Sequence, residues 1–502
     1  MYHRHSRKTH LILALMVQAA LLLGACQPQV ASFSSGVAVE EAVQQEAVAT
    51  LPGAAATPLP SRPVYPPGEL VDYTAQTGDT LPVLALRFNT TVEEILQANT
   101  FIPQSATTMP PGMPMKIPIY YSPFWGTPFK IMPDSLFING PAQVGFDTGK
   151  FVLSQPGWLN GYKEYAADAN RSAAEIIDLV ALKFSLSPRL FLALLEYQSG
   201  GLTRPEATVL EQTYPMGYRS RDRKGLYSQL LWSANLLNNG YYGWRIGKLT
   251  SIEYSDGRQM RFDPWQNAAT VSLHNFFNTF LPKDDYEKAT SSAGLALTYA
   301  ALFGDPWTAD QPHIPGSLEQ PHLRLPFEPG KLWAYTGGPH TGWGNGEPYA
   351  ALDFAPPLTK GGCTPTEQWA TAVAPGVVAR SEFGEVVLDL DGDGDERTGW
   401  NIFYLHMATA GRAPLGAVLD TGDPIGYPSC EGGTTTGTHV HLARKYNGEW
   451  INADWILPFV MEDWIPHNGS APYLGTLTRQ SQTVTACDCS NQRSFIESDT
   501  DK

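Results

Sequence analysis

Toward the C-terminal end the chain reads CEGGTTTGTHVHLARKYNG, which places His439 and His441 one residue apart. Successive side chains along a strand point to opposite faces, so the two imidazoles share a face and Val440 turns away. Two imidazoles on one face suit a metal site with a proton-transfer group beside it. His406 in YLHM, His340 in GGPHTGWGNGEPYAALDFA and Asp353 in the same stretch are further groups able to ligate a metal or move a proton. A different cluster, DLDGDGDERTG, spaces Asp389, Asp391, Asp393 and Gly394 like the start of a calcium-binding EF-hand loop. Its twelfth residue is Trp400 rather than Glu and no helices flank it, so Asp389–Asp395 reads as an acidic hairpin without Ca2+.

These residues need strands to hold them. Over 320–470, runs such as WATAVAPGVVARS, EVVLDLD, WNIFYLHMA, AVLDTGDPIGYPS and THVHLARKYNG recur between turn signals, which predicts an all-β antiparallel domain. Residues 471–502 read as a polar tail. Residues 130–310 read as mainly α: Ser172 and Glu175 have capping-box spacing, Ser187-Pro188 opens RLFLALLEYQ ahead of Gly200, and Asp263-Pro264 precedes WQNAATVSLHNFFNTF. Residues 71–119 have the order strand, helix, helix, strand, with Asn89 ending the first helix and Thr90 and Glu93 at capping-box spacing before the second. The fold class is therefore multidomain: a small α+β unit, a mainly α middle and an all-β C-terminal domain.

The chain has 502 residues, and 34 basic against 49 acidic side chains give a net charge of −15. That balance excludes nucleic acid as a partner, since phosphate binding needs a basic surface. Residues 1–26 carry Arg4, Arg7 and Lys8, then LILALMVQAALLL, an apolar run too short to span a bilayer as a helix. LGAC follows and resembles a bacterial lipobox, which implies a signal peptide cut before Cys26 and lipidation of Cys26. The Pro- and Ala-rich stretch 27–68 reads as a disordered tether. Export, with anchoring on the outer face of the cytoplasmic membrane or in the periplasm or outer membrane, is the localisation this implies. Of the other four cysteines, Cys363 and Cys430 lie in one predicted domain and are paired here as a disulfide. Cys487 and Cys489 in CDC stay open, since a bond between cysteines two apart is strained and a metal or redox role is the alternative.

YTAQTGDTL and ILQAN closely resemble the LysM carbohydrate-binding module. The resemblance implies binding to N-acetylglucosamine glycans through the loops at Gly78, Asp79, Thr80 and Asn99. LALLEYQSGG faintly resembles the helical core of lysozyme-like lytic transglycosylases, which implies Glu196 as a second catalytic acid. GTHVH, YLHM and the His340–Asp353 stretch resemble lysostaphin-type zinc endopeptidases of the bacterial cell wall, with the long His–Asp spacing of the beta-lytic, staphylolysin-like branch. That resemblance implies one Zn2+ held by His340, Asp353 and His441, with His406 and His439 as catalytic proton-transfer residues. The implied function is a cell-wall-anchored zinc endopeptidase acting on peptidoglycan stems or cross-bridges. The alternatives are a non-catalytic peptidoglycan-binding regulator of another hydrolase and a bifunctional enzyme with a glycan-cleaving middle domain.

Overall fold

The computed structural model describes residues 62–123, 125–358, 360–489 and 491–500. The predicted signal peptide, Cys26 and residues 27–61 of the tether lie outside the described residues. Among the described residues no helix is long and apolar enough to cross a membrane.

The first unit pairs strand Glu69–Thr74 antiparallel with Pro114–Ile119 and places helices Leu81–Phe88 and Val92–Ala98 between them. Pro82 falls in the first turn, where its missing N–H costs nothing. Asn89 ends that helix in the left-handed region at φ 54°. The capping box forms one residue later than predicted, between Thr91 and Glu94, while the Thr90 hydroxyl donates to the same Glu94 carboxylate. Tyr73, Leu84, Phe88, Ile95 and Ile117 fill the core beneath.

The middle of the chain is helical. Ser172 and Glu175 form the predicted capping box on Ala173–Phe184, and Ser187 caps Pro188–Ser199, which Gly200 ends at φ 58°. The helix predicted after Asp263-Pro264 starts later, at Ala268. Asp263 is occupied elsewhere: its carboxylate accepts the Trp265 N–H and pairs with Arg62 at 2.6 Å, so it shapes a turn instead of a cap. Helix Leu226–Arg245 is the longest of those described and packs against Ala268–Asn278.

The C-terminal half is an antiparallel sheet. Its order runs Val418–Leu419, Gly376–Glu382, Glu385–Asp389, Trp400–Leu405, Val440–Tyr446, Ala351–Ala355, Leu332–His340 and Phe495–Glu497, with Glu449–Trp450 also pairing with Val440–Tyr446. Period-two alternation gives the sheet two different faces. Val386, Leu388, Ile402, Tyr404, Val440 and Leu442 face one core. Val387, Phe403, Leu405 and Ala443 face the other, which they share with the helices. The segments read as separate helical and β domains therefore share a core.

Residues 471–502 are not a tail. Gly475–Arg479 and Gln482–Thr485 join Ile465–Asn468 in a three-stranded sheet, and Phe495–Glu497 forms the outer strand of the main sheet. Leu477, Val484 and Ile496 are the buried members of these strands, and their burial offsets the polar residues between them. Cys363 pairs with Cys430 as predicted, and Cys487 pairs with Cys489, which removes both thiols of CDC from a metal role.

Candidate metal centre

Three adjacent strands bring the predicted ligands together. His340 ends Leu332–His340, Asp353 lies mid-strand in Ala351–Ala355, and His441 is the second residue of Val440–Tyr446. In register, His441 stands opposite Asp353, and Asp353 stands opposite Gly337. A Cβ at Gly337 would lie 2.4 Å from the Asp353 carboxylate, so the glycine makes room for it.

His340 Nε2 is 3.0 Å from His441 Nδ1, and Asp353 Oδ1 is 3.3 Å and 3.2 Å from these two nitrogens. Ligands on a tetrahedral zinc at about 2.0–2.1 Å are separated by about 3.3 Å, so the triad has the edge lengths that ion needs. Asp353 Oδ1 is buried without a hydrogen-bond partner, an orphaned oxygen that a cation would satisfy. Two imidazoles and one carboxylate suit zinc and leave a fourth position for water.

Backbone carbonyls fix the imidazoles from behind. His340 Nδ1 faces Gly338 O at 2.8 Å, and His441 Nε2 faces Gly342 O at 3.1 Å. Those contacts assign the proton to the outer nitrogen and the lone pair to the inner one. The same logic holds for the other pair. His406 Nδ1 faces Glu431 O at 2.8 Å, and His439 Nδ1 faces Gly437 O at 2.8 Å. His439 Nε2 lies 3.7 Å from Asp353 Oδ1, and the His406 and His439 rings are 4.6 Å apart. His406 follows strand Trp400–Leu405 in a left-handed conformation at φ 67°, which turns its ring toward the triad. The Cys363–Cys430 bond steadies the loops behind it: Cys430 adjoins Glu431, and Thr438 donates to Thr364 O beside Cys363.

Burial opposes the charge on Asp353, but the neighbouring His340, His439 and His441 hold its carboxyl well below the usual range. Burial pushes the His441 pKa down. Burial, then His439 and His441, pushes His406 down to about 3, so its imidazole is neutral near pH 7 and able to accept a proton.

Tyr473 was not anticipated in this site. Its ring stacks on His340 with centroids 4.0 Å apart, and its carbonyl accepts the Gly338 N–H at 2.7 Å. It enters from the segment read as a tail. The alternation in TLTRQSQTVT was the available sign that this segment is a strand pair.

Other predicted site residues do different work. Asp79 is buried and accepts from Tyr73, Gln76 and Arg87. Asn99 bonds Ile95 O and both backbone groups of Lys116, and Thr80 is buried. Gly78 lies against Arg245, where a Cβ would fall 2.6 Å from its guanidinium. Asp79, Thr80 and Asn99 are thus buried, while Gly78 is half-buried. The Glu196 carboxylate accepts the Leu202 and Thr203 N–H groups and the Thr203 hydroxyl, so it ties a turn instead of standing free as an acid.

The sheet thus brings together a His–Asp–His group able to hold a metal ion. Residues 73–118 match the LysM domain model, and 130–316 match the model of the LasA N-terminal domain, where a lysozyme-like core had been read. The chain is 25% identical over 337 residues to Protease LasA of Pseudomonas aeruginosa, covering 64% of this chain and 74% of that one. It is 31% identical over 143 residues to a beta-lytic metalloendopeptidase of Achromobacter lyticus, covering 26% of this chain and 34% of that one. The solved M23 metalloprotease pseudoalterin is 24% identical with a TM-score of 0.29, covering 33% of this chain and 96% of that one. The two family models and the LasA and beta-lytic relatives support a LytM-type metallopeptidase that carries a LysM domain.

Proposed function

We propose that this chain is a zinc-dependent endopeptidase that hydrolyses peptide bonds in the stems or cross-bridges of peptidoglycan. We further propose that it is exported and anchored to the cell envelope through lipidated Cys26. The observation that carries the reading is the convergence of His340, Asp353 and His441 with His406 and His439 at its edge. Zinc at that triad supplies polarisation of a carbonyl and a lowered pKa for water.

The remaining steps belong to side chains. His406 and His439 each have one ring nitrogen held by a carbonyl and the other free. Whichever of the two accepts the proton of the attacking water at its inner nitrogen carries it there and then gives that proton to the leaving amine. Once protonated, that inner nitrogen is also a donor for the oxyanion of the tetrahedral intermediate. A non-catalytic regulator is the weaker reading, because all five groups are present and lie close together. A glycan-cleaving middle domain is weaker still, because Glu196 is engaged by its own turn.

Digestion of purified peptidoglycan tests the proposal. New free amino groups are the expected product. New reducing or anhydro sugar ends without free amines would point to glycan cleavage, and neither product would point to a regulator.

A further inference from the structure

The peptidase site makes no use of the acidic hairpin between strands Glu385–Asp389 and Trp400–Leu405. One oxygen from each of Asp389, Asp391 and Asp393 lies within 4.8 Å of the others. Asp389 is wholly buried, while Asp391 and Asp393 are exposed at the rim. Carboxylates so close repel one another, and a buried one normally has a cation beside it. The neighbouring cations are committed elsewhere. Arg397 pairs with Asp395 at 2.6 Å, Lys445 with Glu396 at 2.7 Å, and Arg380 with Glu396 and Glu385. Among the described residues none forms an ion pair with the three aspartates. Burial and the Asp391 carboxylate push the Asp389 pKa up to about 6, although its oxygens accept the Asp391 and Gly394 N–H groups.

Asn401 is an independent indication. It stands opposite Asp389 in the antiparallel register, so the two side chains are neighbours on one face of the sheet. It is wholly buried, and its Nδ2 donates to Thr398 O inside the hairpin at 2.6 Å, which turns the amide into the loop. Its Oδ1 has no donor. A buried amide oxygen left that way costs about 1–3 kcal/mol, which a cation would offset.

We propose that Asp389, Asp391, Asp393 and Asn401 form a calcium site separate from the zinc triad. The donors are all oxygen, which selects a hard cation over zinc, and the hairpin leaves room for water and backbone carbonyls in a larger coordination shell. The aspartates occupy alternate positions as in a calcium loop, and Gly394 makes the sharp turn at φ 79°. Trp400 at the twelfth position argued against calcium in the sequence. In this proposal the missing oxygen comes one residue later, from Asn401 opposite Asp389 on the return strand. That strand runs on to His406, so the ion pins the hairpin whose far end positions a proton-transfer group.

The test uses the full chain, stripped with chelator and reloaded with zinc alone. Calcium titrated by calorimetry binds once per chain and raises the unfolding midpoint. Terbium luminesces on excitation of Trp400 and is displaced by calcium. The double variant Asp391→Asn/Asp393→Asn, whose side chains are exposed and carry no core packing, weakens calcium by about tenfold or more. His441→Ala, in contrast, leaves calcium binding intact. No saturable binding by about 10 mM calcium would overturn the proposal, since even weak extracellular calcium modules bind below that level. So would wild-type affinity in the aspartate variant, or loss of calcium in His441→Ala with retention in the aspartate variant.

Discussion

Replacing Glu449 by glutamine removes the charge at the centre of a buried cluster. Glu449 accepts from the Tyr241 hydroxyl at 2.7 Å and pairs with Arg245 at 3.0 Å and His313 at 2.7 Å. Arg245 also reaches Asp134 at 3.2 Å and donates to the Thr77 carbonyl of the LysM unit. One carboxylate on strand Glu449–Trp450 thus holds the helix Leu226–Arg245 and, through Arg245, the LysM loop. Burial opposes its charge, but Arg245 and then His313 and Tyr241 more than offset this and hold its pKa down to about 2 from the ordinary 4.5. At about 1.4 kcal/mol per unit the depression corresponds to about 3 kcal/mol. That agrees with the roughly 3–5 kcal/mol lost when one partner of a buried pair is removed. The sign follows from the depressed pKa: the stabilisation is complete above the unfolded pKa and is lost as pH falls from about 4.5 toward 2. Thermal unfolding of Glu449→Gln should therefore show a midpoint lowered by roughly 3–5 °C at neutral pH, with the gap to wild type closing in acid. A loss below about 0.5 kcal/mol, or a gap constant with pH, would refute the argument.

Removing the Cys363–Cys430 bond in a double serine variant frees a loop of sequence separation 67 and should cost about 4 kcal/mol, read as a lower unfolding midpoint that reductant reproduces in wild type. Tyr473→Ala removes the ring stacked on His340 and should weaken zinc by about fivefold in a chelator competition, from about 1 kcal/mol of lost aromatic packing. Tyr473→Phe should keep the affinity, and an equal loss there would assign the effect to the hydroxyl instead. Radioactive fatty acid should label the exported protein but not Cys26→Ser, and label persisting in that variant would end the lipid-anchor proposal.

Alternation made the histidine pair legible, because strand periodicity alone puts His439 and His441 on one face and the structure keeps them there. His340 and Asp353 were legible only through resemblance, since their strands hold few residues with clear alternation and pair through irregular register. The capping box at Ser172 was local and readable. That at Thr91 slipped by one because Thr90 and Thr91 both offer a hydroxyl and Glu93 and Glu94 both offer a carboxylate. Tyr473 and the last strand could not be placed from composition, because their placement depends on partners more than a hundred residues away. The packing of Arg245 against the Gly78–Thr80 loop was illegible for the same reason, since nothing local signals it.

The most direct test is metal content together with peptidoglycan cleavage, measured on wild type and His441→Ala. Wild type should hold one zinc per chain and release new amino groups from peptidoglycan. His441→Ala should lose both while remaining folded. Stoichiometric zinc in that variant, or cleavage at the wild-type rate without it, would contradict the assignment of His340, Asp353 and His441 as the metal ligands of a peptidase.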